Sequence, residues 1–403
     1  MNSIIVNDND LKENVGEYGS FIDTVLEKKY SEPFLTCFQA DSNKIAKMPE
    51  LIKLIYESSG SRNMTKLSER EFEPTFYLLI NILVQLEGSV EKVLHPDSAV
   101  LKCLIECVPV EERPQFRDRK SIRTASIVSI LSSSFNLLPS FSSNRIYLIG
   151  IILDTIRKSN LGYGLIQHSI GDHLLQWMRD ANASEEEIRK TFWAFVGLDN
   201  ERTFDTLQLI KNFTATFQPT LRELRCLIEF ALASDVVDVS FIVNTSISIS
   251  LKENANDELV NVFSKYVKGE LISEVPESLK SFKDSIVYKS KILCLARFFV
   301  EHKDQKVFKY DEVPSYLVTD HDELELLLID AIKAHVIEAK LSQVDQTFYL
   351  SRVNRFIIAG DDKTVSDSWS EIRHVLQNWQ FSLNNIDQIV NASKEDIVNN
   401  NSF

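Results

Sequence analysis

Apolar residues recur along this chain at intervals of three and four, in successive stripes between residues 21 and 390. This spacing places the side chains of each stripe on one face of an α-helix, and such a helix is stable when that face is buried. The first 110 residues contain four stripes: Phe21, Ile22, Val25 and Leu26; Leu51, Leu54 and Ile55; Phe76, Leu79, Ile80, Leu83 and Leu86; and Val100, Leu101, Leu104, Ile105 and Val108. The pattern predicts a mainly α-helical protein.

Helix-start signals continue this pattern in the middle of the chain. Ser184 with Glu187, and Thr220 with Glu223, have the spacing of a capping box, in which two side chains satisfy backbone N–H groups at a helix start. The chain contains only 11 Gly and 10 Pro, few for a β-sandwich or barrel, whose turns need these residues. We therefore predict helix pairs with short connections over residues 17–280, the arrangement of a right-handed α-solenoid.

A different order of elements begins near residue 281 and predicts a second domain, residues 281–358. The periodicities predict a helix at 282–302, a strand at 306–310, a short helix at 311–317, a helix at 322–335 and a hairpin over 336–353. Asp320, with Glu323 three positions later, is a suitable N-cap for the third of these helices. Helix, strand, helix, helix and hairpin is the order of elements in a winged-helix domain.

The last predicted helix, residues 366–391, carries a heptad seam. Its apolar residues follow steps of three and four: Trp369, Ile372, Leu376, Trp379, Leu383, Ile386 and Val390. A narrow seam is typical of helices in bundles, and tryptophan is enriched among the residues that dominate protein interfaces. The seam packs either on its own domain or in a bundle with other chains, and these features favour the second interpretation. The polar segments 1–16 and 392–403 are predicted to be disordered.

Residues that could carry chemistry are sparse in this sequence. It contains no G-x-x-x-x-G-K-[ST] phosphate loop, no G-x-S-x-G nucleophile elbow and no H-E-x-x-H zinc helix. His168, Asp172 and His173 form the only tight group of histidines, and we interpret it as an exposed loop because no further ligand is nearby. Cys103 and Cys107 share one helix face and are interpreted as small buried residues. We predict a protein that is not an enzyme and binds no metal, cofactor or small molecule.

The charge of the chain argues against general binding to nucleic acids. Its 44 Lys and Arg against 58 Asp and Glu give a net charge of -14, which dense phosphate repels. The predicted helix 322–335, which would enter the major groove in a DNA-binding winged helix, has four acidic residues and a single Lys. A winged-helix nucleic-acid-binding regulator stays only as an alternative. The edge of the hairpin is a better candidate for protein docking by strand addition.

One cluster of basic residues contrasts with this acidic background. It consists of Arg113, Arg117, Arg119, Lys120 and Arg123. At helical spacing several of these side chains would share a face, which is either a solvated helix start or a surface for RNA or an acidic partner.

Neither end of the chain nor its apolar runs predict a membrane protein. The first ten residues are polar and lack the basic and apolar regions of a signal peptide, and the longest apolar run, 146–156, is too short to cross a bilayer. The five Cys are odd in number and show no disulfide spacing. These observations predict a reducing location, which is the cytoplasm or the nucleus.

Residues 291–386 resemble a known family. The resemblance lies in four groups of residues: Ile329-Asp330-Ala331-Ile332; Ala339-Lys340-Leu341-Ser342-Gln343; Arg355-Phe356; and Trp369, Leu376, Trp379 and Leu383. They are similar to a Val-Ile-Asp-Ala stretch, a Lys-Ile-Asp-Gln entry to a hairpin, and the Trp-rich last helix of PCI-domain proteins. Ser342 departs from the Asp that is usual there, and the hairpin is slightly shorter. A weaker resemblance extends upstream through residues 113–158.

The resemblance implies a role in assembly. PCI-domain proteins are non-catalytic subunits of the proteasome lid, the COP9 signalosome and eukaryotic translation initiation factor 3, and the similarity is nearest to the last of these. It implies that the winged helix lies in a ring or arc of winged-helix domains, and that the C-terminal helix packs in a bundle with the C-terminal helices of other subunits. The expected partners are PCI- and MPN-type subunits and, through the complex, the 40S ribosomal subunit. A scaffold like subunit 7 of the COP9 signalosome is the alternative within the same architecture.

Overall fold

The computed structural model describes residues 10–26, 29–39, 45–109, 124–159, 161–302, 305–318, 320–354 and 362–400. The chain divides into two compact units, Met1–Glu201 and Arg202–Phe403. The described residues are mainly helical, with one small sheet in the second unit, so the predicted mainly α class is confirmed.

The described part of the first unit contains twelve α-helices. They are α1 (Leu11–Leu26), α2 (Ser31–Thr36), α3 (Met48–Ser58), α4 (Ser61–Met64), α5 (Glu69–Glu87), α6 (Val90–Val93), α7 (Ala99–Glu106), α8 (Thr124–Leu137), α9 (Asn144–Lys158), α10 (Gly164–Ile166), α11 (Leu174–Asp180) and α12 (Glu185–Val196). A π-helical turn, Gln167–Gly171, follows α10. Consecutive helices pack on one another, as α1 does on α2 and α8 on α9.

The helix α5 forms the centre of the first unit. It packs against α1, α3, α6 and α8, and Phe72, Phe76 and Leu79 on its apolar stripe are fully buried. Its start is a capping box of Ser68 and Glu71, which satisfies backbone N–H groups that have no partner within the helix. The predicted stripe therefore packs as expected, with polar residues at the helix start fixing where it begins.

The first helix begins earlier than the sequence indicates. We expected disorder up to residue 16, but α1 begins at Leu11 and its Val15 is fully buried. The close packing of α1 on α2 depends on Gly19, because a Cβ atom there would lie 2.8 Å from the Cα of Ser31. The start of this helix was not predicted because its first residues are mostly polar. Tertiary packing rather than local composition stabilises it.

The described part of the second unit contains seven α-helices and three strands. They are α13 (Phe204–Thr216), α14 (Leu221–Ala233), α15 (Thr245–Glu253), α16 (Glu258–Val267), α17 (Lys283–Glu301), β1 (Val307–Lys309), α18 (His321–Lys333), β2 (Ile337–Ser342), β3 (Thr347–Val353) and α19 (Asp362–Asn400). Short 3₁₀ turns lie at Ser240–Ile242, Glu277–Phe282 and Tyr310–Glu312. Both predicted capping boxes form, Ser184 with Glu187 at α12 and Thr220 with Glu223 at α14.

The three strands form an antiparallel sheet in the order β1-β3-β2, so β1 and β2 are its edges. The side chains of Phe308 in β1 and Phe348 in β3 are directly paired and stacked, with ring centroids 5.3 Å apart. Phe299 of α17 packs on both rings and joins the sheet to the helix. This aromatic cluster is the core beneath the sheet.

Two predicted details of this region are wrong. The expected helix over residues 311–317 is only a 3₁₀ turn at Tyr310–Glu312, because Pro314 lacks the N–H needed to continue a helix. Asp320 does lie at the N-cap position of α18, but its side chain makes no capping hydrogen bond, and Glu323 pairs with Lys291 of α17 instead.

A buried lysine connects α17 to the end of α14. The ammonium of Lys289, which is 5% exposed, donates hydrogen bonds to the carbonyl oxygens of Leu232 (2.7 Å) and Ser234 (2.6 Å). Carbonyl groups in the last turn of a helix have no intrahelical partner, and the helix dipole favours a cation there. Burial nevertheless lowers the pKa of Lys289 to about 8, although Asp235 acts in the opposite direction.

We predict that Lys289→Met lowers the free energy of unfolding by about 1–3 kcal/mol, because two buried carbonyl groups lose their donor. Chemical denaturation followed by circular dichroism measures this change. Lys280→Met, at an exposed lysine of the same unit, is the control and leaves the stability unchanged. Equal stability of the two variants would contradict a stabilising role for the buried ammonium.

The lowered pKa of Lys289 also predicts a dependence on pH. Between pH 8 and the ordinary lysine value of 10.5, the unfolded chain binds more protons at this residue than the folded chain does. The contribution of Lys289 to stability therefore rises with pH across that window. Subtracting the unfolding free energies of Lys289→Met from those of the unsubstituted protein, measured from pH 7.5 to 10, isolates this slope; a flat or falling difference would contradict it.

Candidate partner-binding surfaces

The seam of α19 lies on the surface. Six of its seven residues expose between 43% and 67% of their area, with Trp379 at 67% and Trp369 at 65%, and Ile372 is half-buried. The helix is 39 residues long and extends past the predicted end at 391 to Asn400. A row of large apolar side chains left in water costs free energy, about 25 cal/mol for each Å² that could be buried. Such a row is a surface for association.

The apolar face of α19 is wider than the predicted seam. Val375 and Ile389 are 48% and 66% exposed and lie one position before Leu376 and Val390 in the heptad. With 100° per residue, they extend the apolar arc of the seam to about 120° on one side. The sequence analysis missed them because it followed only the steps of three and four; counting a third apolar heptad position would have found them.

Apart from Phe381, which is exposed on the side opposite the seam, the remaining faces of α19 are mostly polar but carry little charge. Between Trp369 and Val390 the sequence has one Arg, one Asp and one Glu, and most other polar positions are Asn, Gln or Ser. Ion pairs along the helix therefore contribute little to its choice of partner. Shape and apolar burial are the terms that remain.

The outer edge of the hairpin is strand β2. Its residues pair with β3 from Ile337 to Ser342, with an irregularity between Glu338 and Ala339. The edge strand β1 has only three residues, so β2 offers the longer set of backbone groups for a further strand. The predicted docking edge is thus present as an exposed strand of the described residues.

The acidic side chains of α18 are held by neighbouring elements. Asp330 accepts a hydrogen bond from the hydroxyl of Tyr288 (2.7 Å), and Glu325 accepts one from the hydroxyl of Tyr310 (3.0 Å). Burial, followed by these carboxylates, raises the pKa of each tyrosine to about 12. Both partners of these bonds are therefore uncharged phenols rather than cations, so they do not offset the acidic residues on the face of α18, which would oppose a phosphate backbone.

Two apolar residues lie on the outer face of α18; Leu326 was not named in the sequence analysis, and Ile329 was named only as part of the family resemblance. Leu326 is 61% exposed and Ile329 is 37% exposed, whereas Leu324, Leu327 and Leu328 are buried beneath them. Their positions on a helical wheel, opposite the buried stripe, were the available signal. They show that this face is neither a basic nor a purely polar surface.

Two segments that the sequence analysis named are not among the described residues. The basic cluster Arg113, Arg117, Arg119, Lys120 and Arg123 lies outside the described residues, as does the segment 355–361 before α19.

The histidine group at 168–173 and the cysteine pair at 103 and 107 both lie within the described residues. His168 faces Asp172 at 3.9 Å, while the ring of His173 stacks on Trp177 instead, so the three side chains do not converge. Cys103 and Cys107 are both buried, as predicted, and the thiol of Cys103 lies 3.0 Å from the carbonyl oxygen of Ser59. Among the described residues, no three His, Cys, Asp or Glu side chains are grouped as metal ligands would be.

No helix in the described ranges combines the length and the apolar composition needed to cross a bilayer.

Several known proteins that are similar to this chain share one name. The chain is 24% identical to eukaryotic translation initiation factor 3 subunit M of Phaeosphaeria nodorum, over 98% of this chain and 89% of that protein. Proteins of the same name from Yarrowia lipolytica and Schizosaccharomyces pombe are 24% and 22% identical, over 94% and 96% of this chain and 95% and 92% of their own lengths. No protein-family model matches the chain.

These relatives agree with the resemblance to subunit m of the initiation factor that residues 291–386 carry. They extend the similarity to nearly the whole chain, including the first 100 residues, where the sequence contained no motif of the family. Their names favour the initiation-factor interpretation over a signalosome subunit or a nucleic-acid-binding regulator.

The exposure of the seam predicts a fluorescence result. The protein has four Trp, so Trp177→Phe with Trp193→Phe leaves only Trp369 and Trp379. We expect this variant, alone and dilute, to emit like tryptophan in water and to be quenched readily by acrylamide. The reverse variant, with Trp177 and Trp193 retained, is the control and should be quenched less, since both side chains are half-buried. Blue-shifted, protected emission from the seam would mean that it packs on its own chain.

Proposed function

We propose that this chain is a non-catalytic scaffold subunit of the eukaryotic translation initiation factor 3 complex. The observation that carries the proposal is the similarity over nearly the whole chain to proteins named subunit M of that factor. The similarity covers both compact units, so the proposal concerns the two units together and not only one of them.

The proposed architecture is that of PCI-domain proteins. Residues 17–280 form a right-handed α-solenoid of helix pairs, residues 281–358 a winged-helix domain, and residues 366–391 the heptad helix. Its support in the second unit is the order of α17, β1, α18, β2 and β3, with the central strand β3 flanked by β1 and β2. The succession of packed helices, such as α8 with α9 and α9 with α12, supports the solenoid in the first unit.

The proposed anchor is the seam of α19, which joins a bundle of helices from other subunits. The exposed Trp369, Trp379 and Leu383 support this role because their burial is a large favourable term available only through association. Val375 and Ile389 widen the face to the arc expected for a helix with more than one neighbour. The helix would thus be enclosed by partner helices rather than paired with one.

The second proposed contact is the edge strand β2. A strand from a neighbouring subunit added here would satisfy backbone groups that β3 does not reach, and repeated contacts of this kind would build an arc of winged-helix domains. The partners proposed are PCI- and MPN-type subunits of the complex. The 40S ribosomal subunit is reached through the complex, in the cytoplasm, and the cluster Arg113–Arg123 remains a proposed contact for RNA or an acidic partner.

A purification experiment tests the proposed function. The tagged full-length chain, expressed in the cells it comes from, should recover the other subunits of initiation factor 3 together with 40S ribosomal subunits. Recovery of cullins and signalosome subunits instead would favour the alternative scaffold. Salt-sensitive binding of the purified chain to duplex DNA would favour the nucleic-acid-binding regulator, and the acidic α18 predicts that such binding is absent.

The seam is tested by substitution within the same assay. Trp379→Ala with Leu383→Ala should release the chain from its complex, because losing one packed tryptophan alone costs about 3–5 kcal/mol, equivalent to orders of magnitude in affinity. Phe381→Ala is the matched control, since Phe381 is equally exposed but lies opposite the seam. Unchanged circular dichroism melting establishes that the rest of the chain is folded. Undiminished recovery of subunits with the double variant would show that the seam is not the main anchor.

A further inference from the structure

The outer face of α18 presents a defined stripe of side chains. Asp322, Leu326, Ile329 and Lys333 are spaced by four, three and four residues, so they lie along one side of the helix, and all four are exposed. The opposite side buries Leu324, Leu327, Leu328 and Ala331. The two apolar residues in the middle of the stripe therefore lie outside this core, with Leu326 61% exposed and Ile329 37% exposed.

The hairpin turn adds a third apolar residue beside this stripe. The amide of Gln343 donates to the Glu325 carboxylate at 3.2 Å, which holds the turn next to α18, one residue before Leu326. The next residue in the turn, Val344, is 96% exposed. We name Leu326, Ile329 and Val344 the α18 patch.

The rim of the α18 patch is acidic. Glu323 and Asp330 pair with Lys291 and Lys333, at 3.4 Å and 3.5 Å. Glu325 is different, because its hydrogen bonds from described residues come from the neutral Tyr310 and Gln343 and leave its charge uncompensated.

Asp322, at the start of the stripe, adds a second carboxylate to this rim and is exposed. The apolar centre therefore lies within a net negative field, which phosphate would not enter and which Lys or Arg side chains would complement.

We propose that the α18 patch docks an amphipathic helix of another protein, whose apolar stripe is flanked by Lys and Arg. Leu326 and Ile329 project as a ridge at the i, i+3 spacing that fits the groove of a second helix. The flanking cations of the partner would meet Asp322 and Glu325. The inference rests on the proposed function only for the source of the partner, which is another subunit of the same complex.

Photocrosslinking in the assembled complex tests this proposal. The photoreactive residue p-benzoylphenylalanine replaces Leu326 in the tagged full-length chain, the purified complex is irradiated, and the crosslinked peptides are sequenced by mass spectrometry. We expect a crosslink to a segment of another subunit with apolar residues at helical spacing and Lys or Arg on both sides. The same replacement at Ile249, which is 43% exposed on α15, is the control position and should not crosslink to that segment.

A substitution measures the strength of the contact. With the photoreactive residue placed at Ile329, Leu326→Asp should reduce the crosslink about tenfold or more, the effect expected from losing one buried leucine and adding a charge. Ile249→Asp should leave it unchanged. Both positions are exposed, so each variant should keep the melting temperature of the unsubstituted chain.

The other outcomes separate this proposal from the proposed function. If the complex is recovered but position 326 crosslinks to nucleic acid, to α19 of the same chain, to an acidic segment or to nothing, the docking proposal is overturned and the scaffold function stands. If no initiation-factor subunit is recovered with the unsubstituted chain, both are overturned.

Discussion

The covering of apolar helix faces is the constraint on which the rest of the structure depends. Each described helix longer than two turns carries a stripe that water would oppose, and in the first unit α5 covers the stripes of several neighbours at once with Phe72, Phe76 and Leu79. The second unit does the same with α17, whose Phe299 closes the sheet. Against this background α19 is exceptional, because Trp369 and Trp379 remain exposed on a helix of 39 residues. In the proposed function, helices of partner subunits supply the covering that this face lacks.

Buried polar groups are subject to a related constraint, because each needs a hydrogen-bond partner. Burying a helix end is favourable only if its unpaired carbonyl groups find donors, and Lys289 supplies one at the end of α14. The cost is an ammonium held where burial opposes its charge, which is why its pKa falls to about 8. The same reasoning explains the two tyrosines that face α18, since Tyr288 of α17 and Tyr310 of the 3₁₀ turn donate hydrogen bonds to its carboxylates at the boundary between core and solvent. Stability and surface charge are therefore set by the same few contacts.

Much of the fold was accessible from the sequence because its signals are local. The capping box at Ser184 and the β-rich residues of the hairpin specify their elements within a few positions, and both elements form as predicted. Features set by distant packing were missed. Nothing near Leu11 indicates a helix, because α1 is stabilised by its contact with α2; Leu326 appears as one apolar residue among several until Leu324 and Leu327 are seen to fill the core. The seam of α19 was predicted in position, and its flanking residue Ile389 was not, because a strict heptad count leaves that position out.

The two apolar surfaces of the second unit differ in chemistry, and this difference bears on what they bind. The face of α19 is large and nearly uncharged, so the bundle proposed for it would be held mainly by apolar burial. The α18 patch is small and lies within an acidic rim formed in part by Asp322 and Glu325, so the docking proposed for it would be weakened by screening salt. Under the proposed function, the first surface would hold the chain in its assembly and the second would select a neighbour by charge.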